Sequence, residues 1–406
     1  MTDIKADFKR ERIGSRIVWL SSQVLDLFLS KTAYIEISKN LAELGNQVDF
    51  FAIRSKTLLK SDSPNMHLLA IPLRRLPYVA AFSYVVLASV LLPFYILMRK
   101  PDFVILEPKF GSTFFSLVFR LFPSSLRPIL IMDVRSTPVE VHTLHTSINS
   151  FWFNSSVITA RKIFDGFTVA SEEMKKELCS KFNMNPESMR VWRNGVDLRL
   201  FSPGKYDGAE LRMKLGLKDQ FIVFYHGSFR PNGGITETIK GIKLLEDKCP
   251  DLVLFLLGGG PALQLYKQTI QENHIQNRVI IHPPVDYAEV PKYIAIGNVG
   301  IVPLPDIPDW RNQSPLKLIE YLAMKKRVIA TDIPANRGLT GGDKCVTYLS
   351  SVNPDEIAKA IEFAYERKEK LESCEASEIL IGDYDWKKVA EKFVNYLRDF
   401  AKARDN

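Results

Sequence analysis

The feature that most restricts the fold is an alternation of short apolar runs and amphipathic stretches that runs through the chain and then begins again. In the first half, "RIVWLSS" is an apolar run ending in small polar residues. "TAYIEISKNLAELG" then carries apolar residues at helical spacing up to a terminal glycine, and "QVDFFAI" is the next run. "DFVILE", "PILIMDV" and "GFTVAS" continue the series, with a helical stretch ending at Ile163. The second half restarts at "FIVFYHGSF". It passes through "TETIKGIKLLE", "LVLFLLGGG", a helix near Leu263 to Glu272, "VIIHPPV", "VGIVPL" and "LKLIEYLAMKKRVIATDI". Apolar strands separated by helices predict parallel sheets whose ligands lie at the carboxyl ends of the strands. The fold class is therefore α/β, with two Rossmann-like doubly wound domains facing one another across a cleft. "VWRNGVDLRLFSPGK" is rich in turn residues and reads as the linker. The expected division is a first domain at 1–190, a linker at 191–204, a second domain at 205–384 and a helix at 385–406 that crosses back to the first domain.

A chain of 406 residues, 46% hydrophobic, is long enough for two cores. Its net charge of +8 favours anionic partners such as nucleotides, phosphates or acidic lipid. Lysines and arginines are interspersed with acids and no aromatic-basic signature is present, which argues against nucleic acid. Cys179, Cys249, Cys345 and Cys374 lie far apart with no C-x-x-C pair, a pattern that fits a reducing compartment and argues against disulfides and structural zinc. The charged leader "MTDIKADFKRERIGSR" has no apolar core, so a cytoplasmic location is expected.

From Leu76 to Met98 the sequence carries no charge, and Arg74, Arg75, Arg99 and Lys100 bracket it. The length matches the roughly 20 apolar residues of a membrane span. However, "HLLAIPL" before it and "DFVILE" after it read as strands of one sheet, which a crossing would separate. The expectation is a helix that packs inside the domain or lies in the membrane interface, giving peripheral contact with the inner face of the cell membrane.

The chemistry concentrates in "NQSPLKLIEYLA", Asn312 to Ala323. Ser314 suits an N-cap and Pro315 the first helical position. Leu318, Ile319, Leu322 and Ala323 bury one face. A helix start with free N–H groups is an anion site, and Lys317 adds a point charge in its first turn. Glu320, one turn deeper, is an acceptor for a vicinal diol such as a ribose. The plain alternative is a capped amphipathic helix with a solvated Lys–Glu pair.

"SPLKLIEYLAMKKRVIATDIP" resembles the donor-site signature of family 4 glycosyltransferases, which are retaining enzymes of the GT-B fold. "VWRNGVDLRLFSP" is similar to that family's interdomain segment, with Asn194, Gly195, Val196, Asp197 and Phe201 in the expected places. "GNVGIVPL" and "LFLLGGGPALQLYK" resemble its donor-half strands. The resemblance covers residues 165–400 closely and 14–164 more loosely. It implies that Glu320 binds the nucleotide ribose and that Ser314, Leu316 and Lys317 wrap the diphosphate. Asn312 stands where the family has the first glutamate of its Glu-x7-Glu motif. Gly227 matches the first glycine of the donor loop. Ser228 and Gly233 occupy the positions of the family's arginine and lysine, so Arg230 is the nearest substitute cation, helped by Arg311 and Lys317. Asp133 and Arg135, ending "PILIMDVRS", are the acceptor-side or sugar-side candidates, with a structural ion pair as the alternative. His142 and His145 have no carboxylate at metal spacing.

The resemblance further implies transfer from a nucleotide-sugar to a hydroxyl of a glycan or lipid-linked acceptor. No cofactor and no obligatory metal are expected. A phosphorylase would need a pyridoxal site, and none is visible. The departures at Ser228, Gly233 and Asn312 leave a second reading, a partner-binding scaffold that has lost turnover.

Overall fold

The computed structural model describes residues 14–24, 31–54, 63–72, 77–109, 111–120, 122–123, 126–138, 144–368, 374 and 378–405. Arg74, Arg75 and His142, and the side chain of His145, lie outside the described residues. The chain divides into two compact units, 1–193 with 386–406, and 194–385.

The first unit is a parallel sheet of seven strands: β1 (Arg16–Val24), β2 (Gln47–Arg54), β3 (Met66–Pro72), β4 (Phe103–Leu106), β5 (Ile129–Val134), β6 (Gly166–Val169) and β7 (Met189–Val191). Their order is β3-β2-β1-β4-β5-β6-β7. Side chains alternate across a strand, so β1 feeds two cores at once. Val18 and Leu20 join Val104, Leu106 and Leu130 on one face. Trp19 points to the other, where it stacks on Phe393 of the final helix Trp386–Asp405 at 5.7 Å and meets Trp192 at 6.2 Å. That helix packs beside the helix Lys31–Glu43 and belongs to this unit.

The uncharged segment forms the helix Pro77–Arg99, which connects β3 to β4. Both ends return to one sheet, and Leu92 and Ile96 are buried against it. It is a crossover helix. Among the described residues, no helix is long and apolar enough to cross a membrane.

The second unit repeats the plan with β8 (Phe221–Ser228), β9 (Leu252–Gly259), β10 (Val279–His282), β11 (Val299–Val302), β12 (Arg327–Thr331) and β13 (Val346–Leu349). The order is β10-β9-β8-β11-β12-β13, parallel throughout. Phe224, Phe255 and Leu257 feed one core; Val223, Leu254 and Leu256 feed the other. The central strands β8, β9, β11 and β12 are buried on both faces, which is why they read as continuous apolar runs.

The expectation of free cysteines needs correction. Cys345 and Cys374 form a disulfide, whereas Cys179 and Cys249 are free. The two partners are 29 residues apart in sequence, and the chain after the helix Pro354–Glu366 returns to the start of β13. The Cys374 N–H donates to the Lys325 carbonyl at 3.0 Å, which seats the thiol in the same core as Cys345. Sequence spacing carries no record of that return. Closing a loop of this length constrains the unfolded chain by about 3–4 kcal/mol. Thermal unfolding should therefore begin at lower temperature in the presence of a phosphine reductant, and Cys345→Ser should show the lower midpoint with or without it. Equal midpoints in the oxidised and reduced protein would count against the bond.

Candidate functional site

In the second unit the chain winds outward from β8 to β10, then returns to β11 on the other side of β8. The connections leaving β8 and β11 diverge at their carboxyl ends, and this is where doubly wound sheets hold ligands. Residues 229–234 follow β8, and residues 303–315 follow β11. Trp310 ties them together: its Nε1–H donates to the Asn232 carbonyl at 2.7 Å. Gly234 permits the close approach, because φ is +76° and a Cβ would overlap the Pro303 carbonyl oxygen.

The helix Leu316–Ala323 starts here. Leu318, Ile319 and Leu322 enter the core, which fixes the rotation of the helix and therefore the directions of Lys317 and Glu320. Lys317 lies over the end of β8. Its Nζ donates to the Tyr225 hydroxyl at 3.1 Å and sits 4.3 Å from the centre of that ring. A Cβ on Gly227, whose φ is +125°, would lie 3.5 Å from the Lys317 Nζ. The structure thus brings Gly227 and Lys317 together. No side chain caps the helix start, so its first N–H groups face the same region.

Ser314 does something different from the N-cap expected of it. Pro315 is the N-cap residue, and the Ser314 Oγ accepts the backbone N–H of Asn194 at 3.2 Å. The Asn194 side-chain amide donates to the Ser314 carbonyl at 2.6 Å. Ser314 therefore anchors the segment that opens the second unit. Leu316 is half-buried in the first turn, and Asn312 is buried at the end of the short helix Pro308–Arg311.

Glu320 is 2% exposed, and its carboxylate is held from two sides. His226, the last residue before Gly227, lies 2.8 Å from Oε2 through its Nε2. The Tyr287 hydroxyl donates to Oε1 at 2.9 Å. Burying a carboxylate costs several kcal/mol unless donors replace its water, and these two partly do so. His226, Tyr287 and Tyr225 were not singled out from the sequence. For His226 a signal existed, its position at the carboxyl end of the central strand. Tyr287 lies in an aperiodic stretch that carries none.

Arg230 is exposed on the β8 loop, with its guanidinium 5.6 Å from the centre of the Trp310 ring. Arg311, expected to help it, instead forms a two-point ion pair with Asp306, whose carboxyl it pulls below the usual range. Ser228 is the last residue of β8 and Gly233 lies on the turn that follows, where its N–H donates to the Arg230 carbonyl at 3.0 Å.

In the first unit, Asp133 and Arg135 are brought together around Trp192. Asp133 is fully buried, and its Oδ1 accepts from Thr168 at 2.7 Å and from the Trp192 indole at 2.8 Å. Arg135 stacks 3.7 Å from the centre of the Trp192 ring and donates to that residue's carbonyl at 2.6 Å. With no exposed surface, the Asp133 carboxyl is turned to Thr168 and Trp192 in this structure, and the half-buried Arg135 is the neighbouring candidate nearer the surface. Nearby, the Ser21 hydroxyl in β1 donates to Glu107 at 2.6 Å, and Lys109 pairs with Glu107 at 2.8 Å. Among the described residues no cluster of His, Cys, Asp and Glu is arranged to hold a metal ion.

A cation over a strand-end glycine, with a buried carboxylate one turn deeper, defines a site for an anion joined to a hydroxyl-bearing group, built on a nucleotide-binding type of fold. Comparison with known proteins gives the family. The sequence model described as Glycosyl transferases group 1 matches residues 207–378, and that of Glycosyltransferase Family 4 matches residues 31–200. With both units covered, the chain belongs to the group 1, family 4 glycosyltransferases. It is 30% identical over 171 residues to a Bacillus subtilis glycosyltransferase assigned to teichuronic acid biosynthesis, TuaH, covering 42% of this chain and 41% of that protein. It is 27% identical over 109 residues to the GDP-mannose-dependent alpha-(1-6)-phosphatidylinositol monomannoside mannosyltransferase of Mycolicibacterium smegmatis, covering 27% and 28%. Both matches span less than half the length of the relative. Among solved structures, the sucrose-phosphate synthase of Thermosynechococcus elongatus superposes with a TM-score of 0.79 at 17% identity, covering 96% of this chain and all of that one. HepE of Anabaena in complex with UDP gives 0.72 at 16% identity, covering 95% and 100%. These neighbours show the GT-B type of fold, a pair of doubly wound units.

Burial, the largest influence, pushes the Asp133 carboxyl up to about 6, although Arg135, Thr168 and Trp192 pull it back. An unfolded aspartate titrates near 3.9, so the native state holds this proton more tightly. The stabilising contribution is complete below about pH 4 and is lost as the pH rises to about 6. Asp133→Asn keeps the acceptor oxygen and removes the titration. The variant should lose that component of the midpoint's decline between pH 4 and 6 in thermal melts, and an unchanged decline would clear Asp133 as its cause.

Proposed function

We propose that the chain is a retaining glycosyltransferase that moves a sugar from a nucleotide-sugar to a hydroxyl of a glycan or lipid-linked acceptor. The observation that carries this is the start of the helix Leu316–Ala323, with Lys317 over the strand-end Gly227 and Glu320 one turn deeper. In this reading the uncapped helix start and Lys317 receive the diphosphate, and Glu320 accepts hydrogen bonds from the ribose. Arg230, steadied by the Trp310 ring, supplies the second cation that Ser228 and Gly233 do not. During transfer the bond from the anomeric carbon to the diphosphate oxygen breaks and a bond to the acceptor oxygen forms on the same face. The departing diphosphate takes up the acceptor proton, and Lys317 and Arg230 stabilise its charge. Protein cations fill the place a metal would take, so the reading includes no resident metal or other cofactor. Arg135, held by Trp192 and Asp133, is the acceptor-side candidate. UDP complexes of HepE support a nucleotide-bound donor lobe, and the phosphatidylinositol mannoside named for the mycobacterial relative supports a lipid acceptor.

The same reading places the first unit against the membrane. On the helix Pro77–Arg99, the side chains of Val86, Val90, Leu91, Phe94, Leu97 and Met98 are exposed, at spacings that form one face opposite Leu92 and Ile96. The helices Ser112–Arg120 and Leu144–Ile163 lie alongside and add Phe114 and Phe151. None of the three helices contains an aspartate or glutamate. Arg99, Lys100 and Lys162 are exposed at their ends, a composition suited to an anionic lipid surface at the inner face of the cell membrane.

Purified protein incubated with labelled nucleotide-sugars and a membrane lipid extract should move one label. Lys317→Ala should slow that transfer on the order of 100- to 1000-fold. Full activity in the variant would remove the role given to Lys317. In vesicle flotation, the protein should rise with phosphatidylglycerol-containing vesicles and not with phosphatidylcholine alone. Phe94→Glu combined with Met98→Glu should leave it at the bottom. Flotation that survives both changes, or a dimer in light scattering that the changes dissociate, would transfer the surface to another partner.

A further inference from the structure

The hydrogen bonds around Glu320 contain an asymmetry. Its two protein partners differ in how firmly they are held. His226 is 8% exposed and its ring is engaged at both nitrogens. The Tyr321 hydroxyl accepts the His226 backbone N–H at 3.1 Å, and the nearer of the two acceptors open to its own proton is the His226 Nδ1 at 3.0 Å, the other being the Phe224 carbonyl at 3.4 Å. With Nδ1 accepting, the neutral ring carries its proton on Nε2 and donates it to the Glu320 Oε2. The Tyr321 ring lies 5.2 Å from the imidazole, nearly perpendicular to it, and is fully buried. Tyrosine, histidine and glutamate thus form a chain with one direction of donation, anchored to the end of β8.

Tyr287 is held differently. It is half-buried at the start of the single 3-10 turn Tyr287–Glu289 after β10, with its ring 5.4 Å from Phe201 and its hydroxyl on Oε1. A phenolic O–H donating to one carboxylate oxygen is what a sugar hydroxyl would do at the same atom. A carboxylate offers about four acceptor positions, and His226 and Tyr287 occupy two.

The geometry points to His226 as a positioning residue that fixes Glu320 for the nucleoside sugar, with the Tyr287 hydroxyl standing in for a sugar hydroxyl until the nucleotide arrives. This rests on the reading of Glu320 as the ribose acceptor and adds how that acceptor is aimed and kept occupied. Neither partner reaches the reacting atoms, so neither is a catalytic residue. His226→Gln places an amide N–H near the position of Nε2 and keeps the donor to Glu320. His226→Asn matches Nδ1 instead and loses it. Tyr287→Phe keeps the ring and removes the competing hydroxyl.

The test is calorimetric titration of the full chain with UDP, GDP and ADP, followed by the 2′-deoxy form of whichever binds. For the unaltered protein the ribose form should bind at least ten-fold tighter than the deoxy form. His226→Asn should bring that ratio near one, His226→Gln should restore most of it, and Tyr287→Phe should tighten ribose binding about five-fold, the worth of one released hydrogen bond. Thermal melts of each variant separate a loss of folding from a loss of aim. A His226→Asn protein that melts normally and keeps the ratio overturns the positioning role, and weaker binding by Tyr287→Phe overturns the stand-in role. Glu320→Ala serves as the control for the parent reading. If it too keeps the ratio, or if no nucleotide binds the unaltered protein, the ribose assignment itself fails. A ratio that collapses in Glu320→Ala but survives in His226→Asn refutes only the inference made here.

Discussion

The candidate donor site depends on one constraint, the reversal of winding direction between the paired strands β8 and β11. All six strands of the second unit point the same way, so their carboxyl ends form one rim. At the reversal, neighbouring connections leave in opposite directions and the rim opens. The helix Leu316–Ala323 starts in that opening because β11 ends there, and its apolar residues lock into the core. Lys317 and Glu320 inherit their directions from that packing. Glu320 is costly to bury, and the cost is met by donors from two other elements, His226 at the end of β8 and Tyr287 after β10. The carboxylate is therefore a property of the lobe and not of the helix alone.

Cations in both units are held in a similar way. Lys317 lies over Tyr225, Arg230 stands near Trp310, and Arg135 stacks on Trp192. An aromatic face attracts a cation without neutralising it, by roughly 0.5–2 kcal/mol. A salt bridge would orient the side chain as well but would cancel the charge an anionic ligand needs. Arg311 shows that contrast: locked to Asp306, it has its charge matched before any ligand arrives. On the proposed reading, this is a physical reason to prefer Arg230 over Arg311 as the second cation.

Much of the fold was readable because doubly wound sheets write themselves plainly. Strands buried on both faces must be continuous apolar runs, and the helices between them must carry one apolar stripe. Other expectations failed where the deciding contact was distant in sequence. Ser314 has the chemistry of an N-cap, yet Asn194, 120 residues earlier, takes its oxygen. Cys345 and Cys374 have no spacing signature, since only the return of the chain after Pro354–Glu366 brings them together. The partners of Asp133, Trp192 and Thr168, are likewise 59 and 35 residues away in sequence.

By itself, then, the sequence determined the class of fold, the strand and helix that meet at the donor site, and the unbroken apolar, acid-free character of the crossover helix. Periodicity and turn chemistry act over a few residues, so these properties are local. Only the tertiary structure decided which face of that helix stays exposed, which cations are already paired, and that His226 and Tyr287 grip Glu320. Each of these depends on side chains dozens of residues apart reaching hydrogen-bond or van der Waals distance, and no local pattern encodes such a meeting.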